Sequence, residues 1–206
     1  MGLVYIKHID KDVCLGLWEM DDSLDAARDC PPEAWQHIGK ACATRQRETA
    51  AVYRLLRTMT GRDDIVIRHE PSGRPHVKGI CLSISHTKGF ACVIMSPTRN
   101  VAVDIEHNSD RVRRITSHFL RDDETATDVR SMLIHWCAKE TIYKFCSDDR
   151  LTFKESRVTM DNTLSDKGTD CHGLLSCENL KTGEKVRMSF VCNSRFTMTY
   201  CMDEKP

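Results

Sequence analysis

Val101-Ala102-Val103-Asp104-Ile105-Glu106 is the stretch on which the reading of the chain turns. Its residues alternate with the period of a β-strand, in which successive side chains point to opposite faces. Val101, Val103 and Ile105 share one face, and Asp104 and Glu106 share the other. Two carboxylates on one face repel each other unless a cation lies between them. Two readings stand. The pair is either a hard-cation site with oxygen ligands, for which Mg²⁺ is the natural occupant, or a solvated edge face whose acids do no chemistry.

Some thirty residues on, Ser131 to Cys146 is expected to be a helix, since it contains good helix formers and neither Gly nor Pro. Its apolar residues run nearly all round, which predicts a buried helix. Leu133, Trp136, Cys137, Glu140 and Lys144 fall on one face, with Lys139 to one side. Glu140 and Lys144 are an i,i+4 pair set in apolar surroundings. They form either a plain helical ion pair, worth about 0.2–0.5 kcal/mol, or a buried carboxylate that needs a cation, with lysines at hand for an anionic ligand. In the second case Glu140 is the third carboxylate of a Mg²⁺ site with Asp104 and Glu106.

Length and composition narrow the classes. The 206 residues carry 30 Lys plus Arg against 30 Asp plus Glu, and 40% are hydrophobic. That is enough for one compact domain or two small ones. Balanced charge argues against general nucleic-acid or membrane-surface binding, and no apolar run approaches transmembrane length. The first residues are too short and too alternating for a signal peptide, and Ile6 breaks the myristoylation pattern. Eleven cysteines, an odd number with no C-x-x-C, are read as reduced thiols filling apolar space in a cytoplasmic protein rather than as a zinc or disulfide framework.

In chain order, residues 2–8 and 13–20 are expected to be strands, and Asp21–Cys30 a short helix ended by Pro31-Pro32. Ala41–Met59 is a helix with a stripe of Val52, Leu55, Leu56 and Met59, stopped at Gly61. Ile65–Arg68, Ile80–Ser85 and Phe90–Met95 follow as strands. The loop 96–100 is taken as the boundary between an α+β half at 1–100 and a second at 101–206. Short helices are expected near Arg111–Leu120 and Asp122–Val129. Strands are expected at Leu151–Val158, Leu174–Leu180, Lys185–Cys192 and Phe196–Met202, with a mobile loop at 161–170.

V-A-V-D-I-E at 101–106 and W-C-A-K-E-T-I-Y-K at 136–144 together resemble the signature motifs of the 4′-phosphopantetheinyl transferases. Gly73-Arg74-Pro75, Leu82-Ser83-Ile84-Ser85-His86, and His118-Phe119-Leu120 with Glu124 resemble further motifs of that family, in the same order. The spacing is similar to the longer, surfactin-synthetase-activator-like branch. The match spans 73–144, with a weaker start near Arg45. Ala102 stands where Gly is usual, and Thr141 where Ser or Ala is usual.

The resemblance implies a fold of two similar α+β halves in a pseudo-twofold arrangement, with the site in the cleft between them, and a monomer. It implies transfer of the phosphopantetheine arm of coenzyme A to a serine of an apo acyl or peptidyl carrier protein, with release of 3′,5′-ADP. Asp104, Glu106 and Glu140 would hold Mg²⁺. Arg74, Ser85, His86, Lys139 and Lys144 would meet the phosphates, and Arg45 and Arg47 the 3′-phosphate, for which arginines at a helix N-terminus are suited. Glu140, Lys144 and His86 would be the catalytic groups, with Glu140 or Glu106 as the base. Residues between Arg113 and Leu120 would help to dock the carrier.

Two other readings compete. A Mg²⁺-dependent phosphohydrolase would account for the acids but not for G-R-P, S-I-S-H and the arginines together. A non-catalytic coenzyme A or carrier-binding homologue would keep the ligands and lack the transfer.

Overall fold

The computed structural model describes residues 2–161, 165–167 and 170–203. The chain separates into two compact units, 1–100 and 101–206. Each has mixed α and β structure built on an antiparallel sheet.

In the first unit, β1 (Leu3–Asp10) and β2 (Val13–Glu19) form a hairpin. Two short helices, α1 (Ala26–Asp29) and α2 (Pro32–Ile38), lead to the long α3 (Ala43–Thr60). Then come β3 (Arg68–His69), β4 (Pro75–Val77), β5 (Ile80–Thr87) and β6 (Phe90–Ser96), in the sheet order β1-β2-β6-β5-β4-β3. Val52, Leu55 and Leu56 of α3 pack into one buried cluster with Leu82 of β5 and Ala91 and Val93 of β6. The helix lies close to the sheet at Gly16, where an added Cβ would come within 2.8 Å of Leu55 Cδ1. At the other end of α3, Gly61 adopts a left-handed conformation and its N–H closes the last turn on Arg57 O at 2.7 Å.

In the second unit, β7 (Val101–His107) is followed by a 3₁₀ turn (Asp110–Arg114), α4 (Thr116–Phe119) and the long α5 (Val129–Phe145). Strands β8 (Ser156–Met160), β9 (Ser165–Lys167), β10 (Asp170–Asn179), β11 (Lys185–Cys192) and β12 (Phe196–Met202) complete a sheet of order β7-β12-β11-β10-β8, with β9 added to β10. Ile134, Ala138 and Ile142 of α5 lie in one cluster with Ala102, Leu175, Met188 and Phe190 from the sheet.

Several elements differ from expectation. No helix forms over 122–128. Asp128 instead caps α5, accepting from Ser131 N while its own N–H meets Ser131 Oγ, and this box sets Asp128 in an extended conformation and starts the helix at Val129. Residues 65–67 form no strand; only Arg68–His69 pair. The strand expected from 151 starts at Ser156, because Thr152 and Glu155 cap a 3₁₀ turn ahead of it. The loop expected at 161–170 lies partly outside the described residues, and within it Ser165–Lys167 pair with β10. Among the described residues, no helix is long and apolar enough to cross a membrane.

Candidate functional site

β7 turns its Ala102-Asp104-Glu106 face toward α5, as the shared cluster of Ala102 with Ile134, Ala138 and Ile142 shows. Both faces of the strand are buried through Ile105. Asp104 is only 4% exposed, so it does not belong to a solvated edge.

Trp136, Glu140 and Lys144 of α5 are spaced one turn apart and form a row along the helix. The row lies over the acids of β7. Trp136 Nε1 donates to Glu106 Oε1 at 2.9 Å. Lys144 Nζ donates to Asp104 Oδ1 at 2.8 Å and to Val103 O at 3.1 Å. Glu140 sits in the middle turn. Burial first, and then the nearby Asp104 and Glu106 carboxylates, push its pKa up to about 7 against the pull of Lys144. Three acids and a lysine from two motifs 30 to 40 residues apart therefore meet on one helix–strand contact.

The floor of this contact is polar but fully buried. Thr197 and Thr199 of β12 pair with Glu106 and Asp104 respectively. Thr141 Oγ1 meets Thr199 Oγ1 at 2.6 Å, and Cys137 Sγ donates to Thr197 O at 3.5 Å. Burial, then Asp104 and Glu106, raise the Cys137 thiol far above its usual value, so it serves as packing and not as a nucleophile.

Among the described residues, no three His, Cys, Asp or Glu side chains form a ready metal cluster. The donor set nonetheless fits a hard cation, since it consists of carboxylate oxygens whose mutual repulsion is visible in Glu140. Lys144 already places a positive charge against Asp104.

Lys139 is placed differently from the expectation that it meets a ligand. It is 1% exposed, and its ammonium donates to Glu124 Oε2 at 2.8 Å, Ser156 O at 2.8 Å and Phe153 O at 3.1 Å. Those three acceptors use all three ammonium protons. Burial lowers its pKa, and Glu124 opposes that shift. Glu124 also accepts from Arg121 N at 2.9 Å and Val158 N at 2.7 Å. The pair thus ties α5 to the segment before it and to β8.

In the first unit, His86 ends the Leu82-Ile84-His86 face of β5, the face packed against α3. There Arg45 Nη1 lies 2.6 Å from His86 Nε2, while His86 Nδ1 lies 3.4 Å from Glu48 Oε2. A guanidinium only donates, so Nε2 accepts and the proton of the neutral ring sits on Nδ1, toward Glu48. Ser85, one residue earlier, is buried on the opposite face from His86. Arg47 reaches away to Asp22 at 3.5 Å, and Arg74 donates to Asn100 Oδ1. Of the expected anion contacts in this unit, Arg45 and His86 are brought together, and Arg47, Ser85 and Arg74 are each directed elsewhere.

Sequence reasoning missed Glu48, Thr197, Thr199 and the indole N–H of Trp136. Glu48 carried a signal, as the one acid in a basic stretch from Lys40 to Arg62. The threonines carried none, because only strand register brings them under the acids. No protein-family model and no curated protein matches this chain.

Proposed function

We propose that this chain is a Mg²⁺-dependent 4′-phosphopantetheinyl transferase acting on an apo acyl or peptidyl carrier protein with coenzyme A as donor, as a cytoplasmic monomer. The observation that carries the reading is the contact of the two motifs: Glu106 with Trp136 and Asp104 with Lys144, with Glu140 in the turn between. That is the arrangement a reaction at a pyrophosphate asks of a protein, with negative ligands for a cation and a positive side chain beside them.

In this reading the carrier serine oxygen bonds to the phosphorus that bears pantetheine. The bond from that phosphorus to the bridging oxygen breaks, 3′,5′-ADP leaves with that oxygen and the electron pair, and the serine proton passes to a carboxylate, Glu140 before Glu106. Mg²⁺ held by Asp104, Glu106 and Glu140 would neutralise the pyrophosphate oxygens. Lys144 can turn ammonium protons from Asp104 and Val103 O toward the leaving phosphate. On the first unit, Arg45 supplies the charge for the 3′-phosphate, and His86, held by Glu48, orients its guanidinium. Lys139 supports α5 from inside and takes no part in binding phosphate.

The test is intact-mass spectrometry of an apo carrier protein after incubation with the chain, coenzyme A and Mg²⁺. The expected result is a gain of one phosphopantetheine, lost with EDTA and lost in Glu140→Gln. Measurable coenzyme A binding with no mass gain on several carriers would instead favour a non-catalytic binding protein.

A further inference from the structure

We infer that Trp136 is a positioning residue for Glu106, holding that carboxylate through its indole N–H in the orientation that receives a divalent cation. The inference rests on the cation reading given above and adds to it a residue that touches neither cation nor substrate.

Three aromatic rings form a small cluster beside β7. Trp136 stands 5.2 Å from Phe119 at an interplanar angle of 58° and 4.8 Å from Phe153 at 51°. Phe119 is fully buried, so one side of the clamp is fixed by the core. Tilted contacts on two sides leave the indole little freedom to rotate. Packing alone would be served by a third phenylalanine, since the neighbours are both Phe. The indole N–H is what distinguishes Trp136, and it points at Glu106 Oε1 at 2.9 Å.

A hydrogen bond of that length to a carboxylate restrains the orientation of the acceptor. Glu106 has three side-chain torsions and sits where the strand begins to emerge from the core. Without a restraint its carboxylate would sample several rotamers, and binding a cation would have to freeze them. The indole lowers that cost beforehand by holding one carboxylate oxygen. Phe119, Phe153, Trp136 and Glu106 thus form a chain that runs from the core to the ligand atom, the kind of support that metal ligands depend on.

The experiment compares the wild-type chain with Trp136→Phe, which keeps the ring packing and deletes the donor. Mn²⁺ affinity is measured by electron paramagnetic resonance, and the melting temperature is read alongside. The expected result is a roughly 10- to 100-fold weaker Mn²⁺ affinity with a melting temperature within a few degrees of wild type. Equal affinity in a folded Trp136→Phe protein would overturn the inference and leave the proposed function standing. A wild-type chain that binds no Mn²⁺ would overturn the cation reading and this inference with it. A second readout needs no folded variant: the indole N–H resonance of Trp136 in wild-type protein should shift on titration with Mg²⁺. A resonance that stays fixed while Mg²⁺ binds would also overturn the inference.

Discussion

Lys144 Nζ and Asp104 Oδ1 lie 2.8 Å apart, so the most buried acid of the site is neutralised from the last turn of α5. A divalent cation at Asp104 would do the same electrostatic work. Lys144→Met should lower stability in EDTA by about 1–3 kcal/mol, below the roughly 3–5 kcal/mol of a fully buried pair, because the lysine is partly exposed. Mg²⁺ should then raise the melting temperature of the variant more than that of wild type. An equal Mg²⁺ shift in both proteins would show that the ammonium and the cation do not share Asp104.

Lys139 and Glu124 are expected to matter for folding rather than for binding. Both side chains are essentially inaccessible and are hydrogen-bonded to α5's neighbours on two sides. Lys139→Met leaves Glu124 buried without its cation and should cost about 3–5 kcal/mol in urea denaturation. Lys139→Met combined with Glu124→Leu should recover part of that loss, since removing both charges removes the buried mismatch. A Lys139→Met protein of wild-type stability but weakened coenzyme A affinity would return Lys139 to the binding site.

His135 gives the stability a dependence on pH. Burial lowers its pKa, while its hydrogen bond to Ser131 O and the nearby Glu124 pull the other way, and Lys139 adds to the lowering. The folded protein therefore binds a proton less readily than the unfolded chain, whose histidine titrates near about 6.5. Stability is fully present above that value and falls as pH drops from about 6.5 toward the folded value. Melting temperatures measured from pH 7.5 down to 5.5 should decline more in wild type than in His135→Gln. Parallel curves for the two proteins would remove His135 as the cause.

The two motifs were legible because each is local. Period two put Asp104 and Glu106 on one face of β7, and a step of one turn put Trp136, Glu140 and Lys144 in one row of α5. What those rules cannot supply is which flank of a helix another strand covers. Lys139 stands next to Glu140 in sequence, yet lies roughly 100° round the helix, where its partner Glu124 comes from 15 residues upstream. The His86 cluster shows the same limit. Arg45 is 41 residues away from His86, and only the packing of α3 on β5 brings them together. Arg47, two residues on from Arg45, is carried to another side by the same helical geometry. The start of α5 at Val129 was a local matter, set by the Asp128–Ser131 cap.

Glu140 is held where its charge is unfavourable. Burial and the carboxylates of Asp104 and Glu106 act against its ionised form, and Lys144 offsets them only in part. A buried acid whose charge is opposed in this way is a candidate for a functional role. Glu140→Gln keeps the shape of the side chain and removes the repelling charge. In EDTA near pH 8 it should therefore be more stable than wild type, by the order of 1–3 kcal/mol in urea denaturation, while transfer to a carrier protein is lost. Mg²⁺ should narrow the gap, because the cation stabilises only the protein that keeps all three acids. A Glu140→Gln protein less stable than wild type in EDTA would mean that Glu140 contributes to the fold, and its place among the three acids would then need another explanation.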